Sequence, residues 1–232
     1  MVTAQEEPVR RVAVVGGNGK TGRAVLAALA RRGVDAVAIG RAEWPHLGIA
    51  LTGSDAVYLV APNLHPDEPH YVADVLEAMA TAGVRRVAYH SVASPFVPQM
   101  PHHLGKAESE DLVRRSGAAW TILQPGAYLQ NFDLTSDLEV PYDVDARFGF
   151  ADLAEVGEAA AVVLTEDGHV GATYELASRV ASPAELAAES GHRARRVDPG
   201  AAHPWLLAMF AYYDRHGLLV GTRPLSMLLA RS

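Results

Sequence analysis

An apolar run, Val12-Ala-Val-Val15, ends in the cluster Gly16-Gly-Asn-Gly-Lys-Thr-Gly22, and a helical pattern from Arg23 to Arg32 follows at once. A strand that turns tightly into a helix leaves free backbone N–H groups at the helix N-terminus. Together with the helix dipole they form an anion site suited to a pyrophosphate. The glycines permit the turn and let the backbone approach the ligand closely. Gly17, Gly19 and Gly22 fit G-x-G-x-x-G, whereas Gly16, Gly19 and Gly22 fit G-x-x-G-x-x-G. Gly19-Lys20-Thr21 also imitates the end of a nucleoside-triphosphate loop. That loop needs a glycine where Val14 stands, so this reading fails. The residues Gly16, Asn18, Gly19, Lys20, Thr21 and Gly22 are thus expected to hold a dinucleotide. An ordinary turn is the alternative.

The second strand, Val34 to Ile39, should end beside the adenosine ribose, where an NAD site carries an acid. This chain has Gly40-Arg41 instead. An acid repels a 2′-phosphate, and a guanidinium pairs with it bidentately. Arg41 therefore favours NADP(H) over NAD(H), which the motif also accommodates. A solvated surface arginine is the competing reading.

These residues need a scaffold. The 232 residues suffice for one domain with a substantial core. A net charge of −7 argues against a nucleic-acid surface. With no cysteine, disulfides and thiol catalysis are excluded, which fits a cytoplasmic location. No apolar run is long enough for a bilayer, and the ten histidines show no ligand spacing, so neither membrane nor metal is expected. Strands at Ala56–Ala61, Arg86–Ser91, Trp120–Pro125 and Thr173–Leu176 alternate with helices at Pro69–Ala82, Leu104–Arg115 and Ala154–Leu164. Further helices are expected at Ser182–Glu189 and Pro204–His216. The pattern is α/β, a Rossmann-type doubly wound parallel sheet. Only fifteen residues, Arg41 to Asp55, separate the second strand from the third. They allow one crossover of about a dozen residues. One outer strand should therefore be missing, leaving the Val34 strand at an edge. Residues 1–232 should form a single domain, with 133–150 and 177–232 adding a substrate-side cap and a helical C-terminal cover.

Several blocks carry a family resemblance: Tyr89-His-Ser-Val-Ala-Ser-Pro95, Met100-Pro-His-His-Leu-Gly-Lys-Ala-Glu-Ser-Glu110, Trp120 to Phe132, Arg147 to Val156, and Met209 to Gly217. In this order they resemble the NmrA-like branch of the atypical short-chain dehydrogenase/reductases, over nearly the whole chain. The resemblance implies a nicotinamide cofactor and, often, reduction of quinones, ketones or other conjugated small molecules. The family also includes cofactor-sensing regulators. The shortened Arg41–Asp55 region departs from it.

Classical members of that superfamily use a Ser and a Tyr-x-x-x-Lys pair. Here His102 stands four residues before Lys106, where the tyrosine would be, and such positions share a helix face. By resemblance, Lys106 should hold the nicotinamide ribose. Its charge should keep His102 neutral, with one N–H to donate. His102 is then a proton donor, a substrate contact or a structural hydrogen-bonding residue, and His103 either caps and packs or touches the ligand. Ser91 ends a parallel strand at the ligand edge, as a catalytic or cofactor contact or as a hydroxyl bonded to the loop. Val60, Ala61 and Pro62 should run beside the adenine ribose. Pro125, Gly126 and Tyr128 should flank the nicotinamide, with Asn131 and Phe132 towards the substrate and Phe132 equally a core residue. The aromatic stretch Trp205–Tyr213 offers a lid or a homodimer contact, although packing on the main domain is the commoner role. The leading expectation is an NADPH-dependent reductase of a small apolar carbonyl, quinone or conjugated compound. The alternatives are a partner-binding NADP(H) sensor and a non-redox cyclase or dehydratase using His102.

Overall fold

The computed structural model describes residues 8–230. The first unit runs β1 (Arg11–Val15), α1 (Lys20–Arg31) and β2 (Asp35–Ile39). A 3₁₀ turn at Trp44–His46 and the short α2 (Leu47–Leu51) lead to β3 (Ala56–Leu59). Then come α3 (Glu68–Ala82), β4 (Arg86–His90), α4 (Pro101–Arg115) and β5 (Ala119–Pro125). These strands and β9 (Thr173–Leu176) form a six-stranded sheet in the order β2-β1-β3-β4-β5-β9, parallel throughout.

Alternation along β1 builds two cores from one strand. Val12 and Val14 face Val25 and Leu29 of α1 and Val156 and Val163 of α5 (Leu153–Thr165). Ala13 and Val15 face the other side, with Leu51 of α2 and Val72, Val75 and Met79 of α3. Among the described residues β2 pairs with β1 alone, and Arg41–Asp55 holds only the 3₁₀ turn and α2. Strand order reverses at β1, with β2 on one side and β3 on the other. That places a crevice at the carboxyl ends of β1 and β3.

The cap holds the C-terminal helix expected at Pro204–His216 and adds strands beyond those expected. Two small sheets build it, β10 (Arg179–Ala181)–β8 (Phe148–Ala151)–β6 (Ala127–Tyr128) and β11 (Ala194–Arg196)–β7 (Leu138–Val140). With α6 (Pro183–Glu189) and α7 (Pro204–His216) they enclose a third core around Phe148, Phe150, Tyr142 and Tyr213. These strands have two to four residues each, too short for periodicity to mark them. The last helix, α8 (Arg223–Leu228), does not cover the cleft. Its Leu225 joins the α1–α5 core.

Candidate active site

A cleft of about 1710 Å³ lies between the strand ends and the cap. One wall is the turn after β1. Gly16 has φ +81°, and a Cβ there would collide with the Val60 carbonyl. A Cβ on Gly22 would collide with the Gly16 carbonyl. A side chain at either position would thus push the turn apart. Gly19 is less confined: its Cβ would sit 3.3 Å from the Gly16 carbonyl oxygen, a tight contact that asks the turn to give by a few tenths of an ångström, with no other atom within 4 Å. Gly19 is also the N-cap of α1, with no side chain capping the first-turn N–H groups and no acid in that turn. A glycine cradle beneath an uncapped helix N-terminus fits a pyrophosphate. At the tip of β2, Arg41 is exposed and lines the cleft, while the Glu43 carboxylate is held by the Gly40 N–H at 2.7 Å. Trp44 stacks on Tyr71 beside it, with centroids 4.3 Å apart.

The structure brings to this cleft every expected site residue except His103. Gly16, Asn18, Gly19, Lys20, Thr21, Gly22 and Arg41 line it with Val60, Ala61 and Pro62. Ser91, His102, Lys106, Pro125, Gly126, Tyr128, Asn131 and Phe132 complete the set. The Lys20 ammonium donates to Asn131 Oδ1, so Asn131 is tied to the glycine turn across the cleft. Phe132 both lines the cleft and packs edge-on against Phe150 of the third core, at 5.4 Å.

Helix α4 starts at Pro101, so His102 and Lys106 do share a helical face. His103 points the other way. It is fully buried, with Nδ1 3.2 Å from the Ser94 carbonyl and Nε2 3.5 Å from the Tyr213 hydroxyl. The ligand-contact reading of His103 is therefore replaced by core packing, because adjacent helical positions diverge by about 100°. Ser91 also departs from expectation. Its hydroxyl donates to the buried Glu110 carboxylate at 2.5 Å, so its hydrogen is committed inside the protein. Glu110 Oε1 accepts from Gln124 as well, at 2.6 Å.

Lys106 is buried. Its ammonium donates to Glu68 Oε1 at 2.6 Å and to the His90 carbonyl at 3.2 Å. The Tyr89 hydroxyl donates to the same Glu68 oxygen at 2.7 Å. An ammonium has three N–H groups, so one remains for a ligand in the cleft. Burial, reinforced by the Lys106 charge and opposed by Glu68, lowers the His102 pKa to about 4. Desolvation rather than lysine is thus the larger reason why His102 is neutral. Among the described residues no hydrogen bond fixes which His102 nitrogen carries the hydrogen; its ring stacks on Trp205 at 6.3 Å.

Three polar residues under the cleft escaped the sequence reading: Glu68, His90 and Tyr58. Glu68 opens α3 just before Pro69, where an acid ordinarily complements the helix dipole in solvent. Its burial follows from α3 packing against α4. Tyr58 read as core within an apolar strand, and His90 was one letter of the Tyr89-His-Ser91 block. Beyond the polar floor the lining is mainly apolar, with Tyr142, Phe148, Leu206, Met209, Phe210 and Leu218, and also carries Asp133, Ser136, Asp137 and Glu139. Of the readings offered for Trp205–Tyr213, the structure shows both cover and packing, since α7 walls the cleft and buries Tyr213 in the third core.

Residues 44–167 match the family model described as NAD(P)H-binding. The chain is similar to an NAD(P)H azoreductase of Xenophilus azovorans, 30% identical over 207 residues, which covers 76% of this chain and 71% of that protein. The crystal structure of an NADPH-dependent quinone oxidoreductase from Escherichia coli, complexed with NADPH, superposes with a TM-score of 0.76 at 22% identity over 95% of each chain. NmrA, a negative transcriptional regulator crystallised with NAD, superposes with a TM-score of 0.78 at 17% identity, over 97% of this chain and 92% of that one. At these identities the two superpositions establish the fold.

Proposed function

The chain belongs to the NAD(P)H-binding family, and from that premise we propose that it is an NADPH-dependent reductase of quinones, azo dyes or other small, conjugated, largely apolar compounds. The observation that carries this reading is the continuity of the cleft. One end is a phosphate cradle, and the other is walled by Tyr142, Phe148, Leu206, Met209 and Phe210. An apolar pocket with few polar groups suits a flat conjugated acceptor. The names of the similar azoreductase and quinone oxidoreductase point to the same substrate class.

When bound, a reduced nicotinamide supplies a hydride. The α1 N-terminus and glycine turn would hold the pyrophosphate, and Arg41 the 2′-phosphate that sets NADP(H) ahead of NAD(H). The third N–H of Lys106 would reach a ribose hydroxyl. His102, neutral and beside Trp205, would contact the acceptor. A homodimer is compatible with this reading, and sedimentation velocity measures whether one forms.

A nucleotide-sensing role is the second reading. It draws on the Ser91 hydroxyl being committed to Glu110 and on the histidine in place of the expected tyrosine. The test is NADPH oxidation with a panel of quinones, azo dyes and ketones. Turnover with at least one acceptor is expected. Tight NADPH binding with no oxidation by any acceptor would overturn the reductase reading in favour of the sensor.

A further inference from the structure

Three rings meet in the floor of the cleft. Tyr58 of β3 is fully buried, and its hydroxyl oxygen lies 2.5 Å from His90 Nδ1. On the other side of the imidazole, Nε2 lies 2.6 Å from the hydroxyl of Tyr128, which lines the cleft. Burial, reinforced by the Lys106 charge, holds the His90 pKa down at about 3. The ring is therefore neutral, and one nitrogen donates while the other accepts.

Tyr58 decides which. Among the described residues its hydroxyl meets no polar partner other than His90 Nδ1. If Nδ1 carried the hydrogen, the Tyr58 O–H would have no acceptor anywhere in the core. A buried donor left unsatisfied biases the tautomer by about 5- to 100-fold. Tyr58 therefore donates to Nδ1, the hydrogen sits on Nε2, and Nε2–H donates to the Tyr128 oxygen. The Thr21 hydroxyl approaches the same oxygen at 3.5 Å. Tyr128 accepts from the protein, and its own hydrogen is left for a ligand in the cleft.

We propose that Tyr128 is the proton donor of the reduction, a catalytic residue, and that His90 and Tyr58 are positioning residues that set the direction of its hydrogen bonds. The proposal rests on the reductase reading above. Once the acceptor has taken a hydride and its electron pair from the reduced nicotinamide, its oxygen carries a negative charge. The Tyr128 O–H bond then breaks and an acceptor O–H bond forms, so that a quinone leaves as the hydroquinone after one hydride and one proton. The Tyr128 phenolate keeps the His90 N–H as its donor. The Lys20 ammonium, 5.5 Å from the ring centroid, adds an opposite charge until water returns the proton. No proton is relayed from Tyr58 through His90, because a phenolate at the fully buried Tyr58 would have no compensating charge. His102 lacks this fixed polarity, since among the described residues no hydrogen-bond partner sets its tautomer.

Two measurements test the proposal. The first is ¹⁵N NMR of His90 in the ligand-free protein, with the signal assigned by a His90→Gln variant. A protonated Nε2 and a bare Nδ1 are expected; the reverse tautomer overturns the proposal. The second is NADPH oxidation with a quinone by Tyr128→Phe. Its kcat should fall by at least about 100-fold, with NADPH affinity within about threefold of wild type; an unchanged kcat overturns the donor role. Tyr58→Phe, which does not reach the cleft, should populate both His90 tautomers and lower kcat severalfold. A persisting single tautomer with unchanged kcat removes Tyr58 from the scheme. Failure of the wild type to oxidise NADPH with any acceptor overturns the reductase reading and the donor role together. The NMR readout is independent of turnover and distinguishes that failure from a wrong tautomer.

Discussion

Arg41 and Lys106 are both cations of the cleft, and their surroundings give them different tests. Arg41 is exposed and has no ion-pair partner among the described residues. Arg41→Ala should leave the fold intact and weaken NADPH binding roughly ten- to a hundred-fold, the range of a charge-assisted bidentate contact. NADH, without the 2′-phosphate, should bind nearly as before, and calorimetry with both cofactors checks this. Equal losses for both would remove Arg41 as the phosphate reader. Lys106 is different, because it pairs with Glu68 at 2.6 Å in the interior. Removing one partner of a buried pair leaves an uncompensated charge, at about 3–5 kcal/mol. Lys106→Ala should therefore unfold at clearly lower denaturant than wild type, and Lys106→Met combined with Glu68→Gln should recover most of that loss. Equal stability of the single and double variants would show that the pair is not coupled.

At the scale of elements, the turn between β1 and α1 separates binding from folding. Gly22 has no space for a Cβ because the first turn of α1 packs on the Gly16 carbonyl. Gly22→Ala should force α1 off the sheet at about 1–3 kcal/mol, a drop in Tm of roughly 2–12 °C for a chain of this size, and weaken NADPH binding. Gly19→Val meets one tight contact, 3.3 Å to the Gly16 carbonyl oxygen, against the 2.4 Å collision at Gly22, and Gly19 lines the cleft. That variant should lose less Tm than Gly22→Ala and should lose NADPH affinity. Parallel melting curves and titrations check both, and the opposite pattern would mean that the pyrophosphate does not lie on this turn. The register of α4 matters in the same way. One residue separates His102, on the cleft, from His103, in the core.

For the molecule as a whole, three neutral buried histidines make stability depend on pH. Burial is the largest cause in each, and it lowers His90 to about 3 and His102 and His103 to about 4, from 6.5. Below pH 6.5 the unfolded chain binds protons that the folded protein does not. Their contribution is therefore fully present above that pH and is lost as pH falls towards the folded values. The slope approaches about 1.4 kcal/mol per pH unit for each histidine. Urea midpoints should fall steeply between pH 6.5 and 5, above the range where carboxylates titrate. A flat midpoint across that window would show that the three rings are not buried together.

The sequence by itself determined the nucleotide half. Its signals are local: β1, the glycine turn and α1 are contiguous, and Arg41 follows the next strand directly. The shortness of Arg41–Asp55 limited the crossover and placed β2 at the sheet edge, because chain length bounds what a segment can span. Tertiary structure alone decided the chemistry beneath the cleft. Glu68 meets Lys106 from 38 positions away, and Tyr128 meets His90 from the same separation. Nothing in the pattern of either segment marks its partner. The cap belongs with these, since β6, β7, β10 and β11 have only two or three residues each. Such strands are specified by the neighbours they pair with, and those neighbours exist only once the chain has folded.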